Sequence, residues 1–235
     1  MKKITFLLAA LALVGATPVR ADLSALSTTV TLGYDSRYVL YGYRLSRHLY
    51  KGDIYLTYPL NDKVSLWGGA WYGYLTDGTY HEVDVYAGVD YAVTESIFAG
   101  IAYSLFNYIE VPFPTSDQAH EISAHVTYFG DQFSLALQNH YDSEAEGNLL
   151  RAIGDYSLPI TEQLSAGLNV EAGYAFRYFI SGNLWNHAQV KLSAPYRVND
   201  AFTITPFIAR SIPLAAIDDF EQYETYGGIS CSLTF

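Results

Sequence analysis

Residues 223–235 read Y-E-T-Y-G-G-I-S-C-S-L-T-F, and their alternation decides the fold. Tyr223, Thr225, Gly227, Ile229, Cys231, Leu233 and Phe235 share one face; Glu224, Tyr226, Gly228, Ser230, Ser232 and Thr234 share the other. Successive side chains of a strand point to opposite faces, so this is a strand with one apolar and one polar side. Termini usually fray, yet here the apolar face runs through to the last residue, Phe235.

The other end of the chain carries a different signal. Met1-Lys2-Lys3 is a positive n-region, Ile4 to Gly15 is apolar, and Val19-Arg20-Ala21 offers a cut before Asp22. This pattern predicts a secretory signal peptide over residues 1–21, too short and wrongly flanked for a spanning helix. Residues 22–235 then form one exported domain. No apolar run of about 18 residues follows, so a bilayer can be crossed only by a closed barrel.

Composition agrees with strands. The chain has 22 Tyr and only 16% charged residues, a balance that suits strands and interfacial girdles better than soluble helices. The leader holds three basic residues and no acid, so its removal takes the formal net charge from −11 to −14. Such an acidic chain is a poor partner for nucleic acid. The single Cys231 leaves no internal disulfide and sits on the apolar face of the last strand.

Short turn signals recur at Asn61-Asp62, Thr94-Glu95, Gly130-Asp131, Thr161-Glu162 and Asn199-Asp200. Longer segments lie between them, at 45–48, 76–80, 110–118, 143–148, 176–186 and 212–222. Short turns on one side and long loops on the other are the asymmetry of an outer-membrane barrel, the short side periplasmic. The expected strands are 28–44, 49–60, 63–75, 81–93, 96–109, 119–129, 132–142, 149–160, 163–175, 187–198, 201–211 and 223–235. That makes an all-β, antiparallel, up-and-down transmembrane barrel of about 12 strands. Alternation is cleanest at 81–93, where Val83, Val85, Ala87, Val89 and Tyr91 oppose Glu82, Asp84, Tyr86, Gly88 and Asp90. In 63–75, Trp67 and Trp71 oppose Val64, Leu66, Ala70 and Tyr72, so the lipid face is not assigned; 149–160 is equally ambiguous. Pro59, Pro195 and Pro206 mark strand ends or bulges.

Three stretches resemble a known family. These are Ser36-Arg37-Tyr38-Val39-Leu40-Tyr41-Gly42, Glu82-Val83-Asp84-Val85-Tyr86-Ala87-Gly88 and Glu121-Ile122-Ser123-Ala124-His125-Val126-Thr127-Tyr128. Together they are similar to the TorF-like family of porins, secreted barrels of poorly defined function. Arg37 stands where that family usually has an acid, and Tyr41 where it usually has Arg. The closing strand also resembles that of bacterial outer-membrane barrels. This likeness implies that Phe235 is an assembly signal read by the barrel-assembly machinery, and that the partners include outer-membrane lipid.

The inward faces carry acids (Asp53, Glu82, Asp84, Asp90, Glu121, Glu171, Glu224) against Arg37, Arg151 and Lys191. Acid rings favour cations. The residues expected to line the pore are Glu82, Asp84, Asp90, Glu121, His125, His140, Glu171 and Lys191. The expected function is passive diffusion of small polar solutes with a cation preference; twelve strands leave room for a small lumen. The alternatives are a structural or adhesive barrel with a filled lumen, and a lipid-modifying outer-membrane hydrolase. For the last, a two-residue turn at Gly130-Asp131 would pair Phe129 with Gln132, Glu121 with His140, and Ser123 with Gln138, with Ser143 nearby. No hydrolase signature accompanies them, so no catalytic residue is assigned. His81-Glu82-x-Asp84 and His120-Glu121 give no metal-ligand spacing, because neighbours in a strand point apart. The acidic loops (Asp142, Glu144, Glu146; Asp218, Asp219, Glu221) read as a solvated rim more readily than as Ca²⁺ or Mg²⁺ ligands. Neither cofactor nor metal is expected. Phe106, Tyr108, Phe113, Phe176, Tyr178, Phe179, Trp185 and Phe220 belong to a girdle or a ligand mouth.

Overall fold

The computed structural model describes residues 25–76, 81–109 and 117–235. The expected signal peptide, Phe113 and most of the loops at 76–80 and 110–118 lie outside these residues. Twelve long strands form one antiparallel barrel: β1 (Ser27–Asp35), β4 (Leu49–Pro59), β5 (Val64–Leu75), β6 (His81–Ala92), β7 (Ile97–Ile109), β8 (Gln118–Phe129), β9 (Phe133–Asp142), β10 (Gly147–Pro159), β11 (Ser165–Phe176), β12 (Asn183–Ser193), β14 (Phe202–Pro213) and β15 (Glu224–Thr234). Consecutive strands pair around the ring, and β1 pairs with β15 to close it. β13 (Tyr196–Arg197) continues β12 along β14 in the same register, beyond Pro195, which has no N–H to donate. Pro206 faces this break from β14, and its carbonyl accepts the Ala194 N–H at 3.0 Å.

Four of the five short turns are built alike. In each, a side-chain oxygen of Asn61, Thr94, Thr161 or Asn199 accepts the backbone N–H groups two and three residues on. Asn and Thr do this because their short side chains mimic a backbone carbonyl. The fifth turn, at Gly130-Asp131, is wider than the expected two residues: Phe129 pairs with Ser134 and the Gly130 N–H reaches the Phe133 carbonyl. Every residue of β8 therefore meets a β9 residue two places beyond the expected one. Glu121 stands opposite Asp142, Ser123 opposite His140, and His125 opposite Gln138.

The apolar face points outward all round the ring. Leu32 (64% exposed), Ile101 (60%), Ile122 (59%) and Leu135 (55%) would be misplaced in water and belong in hydrocarbon. Tyr91, Tyr128, Tyr156 and Tyr196 are exposed near the short-turn end; Tyr50, Tyr74, Tyr141, Trp185 and Tyr223 are exposed near the long-loop end. These two aromatic belts mark the interfaces of a membrane-spanning barrel. The ambiguous strand β5 is now assigned: Leu66 and Tyr72 face out, while Trp67 and Trp71 line interior cavities.

The first expected strand, 28–44, is not one strand. β1 ends at Asp35, and residues 38–46 form a separate hairpin of β2 (Tyr38–Leu40) and β3 (Tyr43–Ser46). The turn between them, Tyr41-Gly42, has positive φ at both residues (51° and 88°). That is the geometry of a two-residue hairpin turn whose twist matches the strands it joins.

Candidate functional site

The β2–β3 hairpin lies inside the barrel and is fastened to six strands. Tyr38 Oη donates to Glu82 Oε2 on β6 at 3.2 Å. Tyr41 Oη donates to Glu121 Oε2 on β8 at 3.4 Å and lies 3.5 Å from His140 Nδ1 on β9. The Arg151 guanidinium of β10 sits over the Tyr41 ring, 4.7 Å from its centre, a cation–π contact. The Tyr41 carbonyl accepts from Asn186 Nδ2 of β12 at 2.6 Å. Arg44 Nη1 meets Glu224 Oε1 of β15 at 2.9 Å, and Arg37 Nε lies 3.5 Å from the other oxygen of Glu224. Left-handed backbone costs a non-glycine residue about 1–2 kcal/mol, so these contacts are what holds Tyr41 at positive φ.

Above the hairpin the long-loop end is packed. Leu149, Ala175, Tyr178, Ala216 and Ile217 form a buried cluster against which Tyr41 and Tyr43 pack. Burial raises the Tyr178 phenol well above its ordinary range, so the ring stays neutral there. Burial also raises the carboxyl of Glu221, against the pull of the Arg44 backbone N–H that it accepts at 3.2 Å.

Below the hairpin the barrel is hollow. A cavity of about 450 Å³ is lined by Trp67, Tyr86, Asp90, Glu121, His125 and Gln138, among others. A second, about 390 Å³, is bounded by Lys51, Asp53, Asp84, Lys191, Phe207 and Tyr226. A third, about 460 Å³, lies toward the short turns. The first shares Tyr86, Ser104 and Phe106 with the second, and Asp90, His125, Thr127 and Phe129 with the third.

Charge inside is paired unevenly. Arg151 grips Glu171 through Nε and Nη2, each at 2.7 Å, and His187 Nε2 reaches the same carboxylate at 2.9 Å. Lys51 meets Asp35 at 2.6 Å, and Arg37 and Arg44 share Glu224. Asp90 and Glu121 have a histidine in place of a fixed cation, His125 at 3.2 Å and His140 at 2.8 Å, beside the hydrogen bonds from Trp67 and Tyr41. Asp53 accepts from Tyr86 Oη (2.7 Å), Glu82 from Tyr38, and Asp155 from Asn169 Nδ2 (2.8 Å). Asp84 Oδ1 is buried with no hydrogen-bond partner. Among the described residues none of these last four carboxylates is in an ion pair, although Asp155 acts on the Lys191 ammonium at longer range.

Solved outer-membrane proteins share this architecture. The KdgM porin, in a complex with disordered oligogalacturonate, aligns over 89% of this chain and 99% of its own, with a TM-score of 0.58 and 11% identity. An outer-membrane channel from Pseudomonas putida F1 aligns over 94% and 100%, again at 0.58 and 11%. The NanC porin aligns over 88% and 98%, at 0.56 and 11%. Identity this low speaks for the fold alone. No protein-family model matches the chain, and no curated protein matches it in sequence.

The residues singled out in the sequence fall as follows. Asp84, Asp90, Glu121, His125, His140 and Lys191 border the cavities; Glu82 is tied to the hairpin, and Glu171 to Arg151 and His187. Glu121 and His140 do touch, but diagonally across the β8–β9 pair rather than as direct opposites. A hydrolase reading needs a serine on the free nitrogen of His140. That nitrogen, Nε2, lies 3.3 Å from Gln138 Oε1, and Ser143 Oγ is engaged by the His120 N–H. Among the described residues no group of three or more His, Cys, Asp or Glu could hold a metal. The expected loop aromatics divide: Phe106, Tyr108, Phe176 and Trp185 are on strands, Tyr178 folds inward, and Phe179 and Phe220 stay exposed against Tyr43. Sequence reasoning missed the anchoring roles of Tyr38, Tyr41 and Arg44, the Lys51–Asp35 pair, and His187. The signal that could have found the hairpin is Gly42 between two short apolar runs.

Proposed function

We propose that this chain is an outer-membrane channel for passive diffusion of small polar solutes, with a lumen that prefers cations. The carrying observation is the uneven pairing inside: among the described residues Asp53, Glu82, Asp84 and Asp155 are in no ion pair, whereas Lys51, Arg151, Arg37 and Arg44 each contact a carboxylate and Lys191 does not. Unmatched carboxylates on a narrow wall concentrate cations and slow anions. The hollow lower lumen supplies the space, and the hairpin narrows the outer part of the path. The polypeptide is exported by its leader, inserted in outer-membrane lipid by the barrel-assembly machinery, and performs no catalysis. The resemblance to TorF-like porins fits this reading.

The test is the reversal potential of single channels in a salt gradient. Wild type should be cation-selective, and Asp53→Asn with Asp84→Asn should move the potential toward zero. An unchanged potential removes those carboxylates from the account. A second reading, a closed structural barrel, is favoured by the packed cluster around Tyr178 and Ile217. An inserted barrel that never conducts would decide for it.

A further inference from the structure

One lumenal cation is unaccounted for. Lys191, on β12, makes no ion pair and no hydrogen bond among the described residues. Its ammonium lies 4.9 Å from the centre of the Phe207 ring, and the Lys51 ammonium lies 5.9 Å from the same ring. Two like charges are thus gathered at one aromatic side chain; Asp35 contacts Lys51 directly, whereas Asp35 and Asp155 act on Lys191 only from beyond ion-pair distance. Like charges this near repel, and a partly desolvated lysine with no acid in contact would be favoured by an anionic group placed beside it.

The surroundings complete a site. Gln189 stands two residues before Lys191 on the same face of β12, and its Oε1 accepts from Tyr226 Oη at 2.7 Å, leaving its amide N–H₂ to donate. The cavity of about 390 Å³ that holds Lys51, Gln189 and Lys191 also holds Asp53 and Asp84, with aromatic walls from Tyr38, Trp71 and Phe207. Cationic and amide donors come from β4 and β12; carboxylate acceptors come from β4 and β6. We propose that Lys191, with Lys51 and Gln189, forms a carboxylate-binding subsite in the lumen, selecting small organic acids whose other groups are hydroxyl or ammonium donors for Asp53 and Asp84. Simple anions gain little in this net-acidic lumen, because they satisfy the lysines and leave the carboxylates facing them. The subsite deepens the channel reading and rests on it for its role in transport, though not for binding itself.

The experiment measures binding and conduction separately on the refolded full chain. Calorimetry compares glucuronate with glucose, a pair of equal size that differs by one carboxylate. Wild type should bind glucuronate at least about tenfold more tightly than glucose, since a charge-assisted contact is worth about that much. Lys191→Gln should lose about that factor, and Lys191→Arg should keep most of it, which separates lost charge from lost folding. Equal affinities for the two sugars, or a Lys191→Gln barrel that binds as wild type does, overturns the subsite. In planar bilayers, a barrel that conducts without glucuronate block overturns the subsite and leaves the channel standing. A barrel that binds glucuronate through Lys191 but passes no current sustains the subsite and overturns the channel.

Discussion

Gly42→Val should loosen the inward hairpin more than it disturbs the barrel wall. Gly42 has φ +88°, and a Cβ there would lie 2.6 Å from His187 Cβ and 2.9 Å from Ile217 Cδ1. Neither neighbour can yield: Ile217 is fully buried, and His187 is held by Glu171 and Asn186. Two costs therefore add. Left-handed backbone costs a side chain about 1–2 kcal/mol, more when it is β-branched. Overpacking a filled site costs about 1–3 kcal/mol. The total, about 2–5 kcal/mol, would shift the docked–undocked balance by roughly thirtyfold at its low end. Opposing it are the Tyr38, Tyr41 and Arg44 contacts, several of them to carboxylates and worth about 1.5–3 kcal/mol each at best. Gly42 itself belongs to no barrel strand, and the one barrel residue it would press on, His187 of β12, is held in its ladders with β11 and β14, so the hairpin is the part that gives way. The assay pairs single-channel conductance with amide hydrogen exchange over residues 38–46, and Gly42→Ala should fall between wild type and Val. Faster exchange with larger conductance is the expected result. A hairpin that stays protected in Gly42→Val would refute the steric argument. A hairpin that exchanges freely at unchanged conductance would show that it is not the constriction.

Two other perturbations follow from the same geometry. Glu171→Gln should destabilise the barrel by about 3 kcal/mol, since it strips a largely covered Arg151 of its bidentate partner, seen as a lower urea midpoint for loss of the heat-resistant form; an unaltered midpoint would mean that water reaches Arg151 freely. Deleting Phe235 should lower the fraction of chain that inserts into vesicles, because its N–H and carbonyl pair with Thr28 at 3.0 and 2.9 Å across the β1–β15 seam. Normal insertion without it would leave Phe235 no part in assembly.

The outer surface was legible because it obeys one local rule. Lipid asks only that every second residue be apolar, and Val85, Ile101, Ile122, Leu135 and Leu192 supply that in turn. The short turns were legible for a similar reason: Asn61, Thr94, Thr161 and Asn199 each cap their own backbone within three residues. Gly130 departs from that chemistry, and there the expected register was two residues out. Strand β5 was unreadable because Trp67 and Trp71 are as apolar as the residues opposite them, yet their partners lie in the lumen: Trp67 Nε1 donates to Asp90 at 3.0 Å, and the Trp71 ring packs on Tyr38. An indole suits either side, and only the polar handle decides.

The lumen was only half legible, since alternation says which residues face inward and not which of them meet. The Tyr41–Glu121 contact spans 80 residues and Tyr41–Asn186 spans 145. No local pattern carries such information. The hairpin adds a second obstacle. Tyr38-Val39-Leu40 and Tyr43-Arg44-Leu45 read as a continuation of β1, because a chain that leaves the wall to cross the interior needs the same apolar and aromatic residues as a chain that stays in it. What distinguishes them is backbone geometry at Tyr41-Gly42, where positive φ turns the chain back on itself. It also explains why an acid-rich inward face does not by itself make a pore lined by acids. Glu82 and Glu121 accept from hairpin tyrosines, and Glu224 is taken by Arg37 and Arg44. In the proposed channel, the field that an ion would meet is therefore set by the carboxylates the hairpin leaves free, Asp53 and Asp84, and by the Lys191 ammonium across the same cavity.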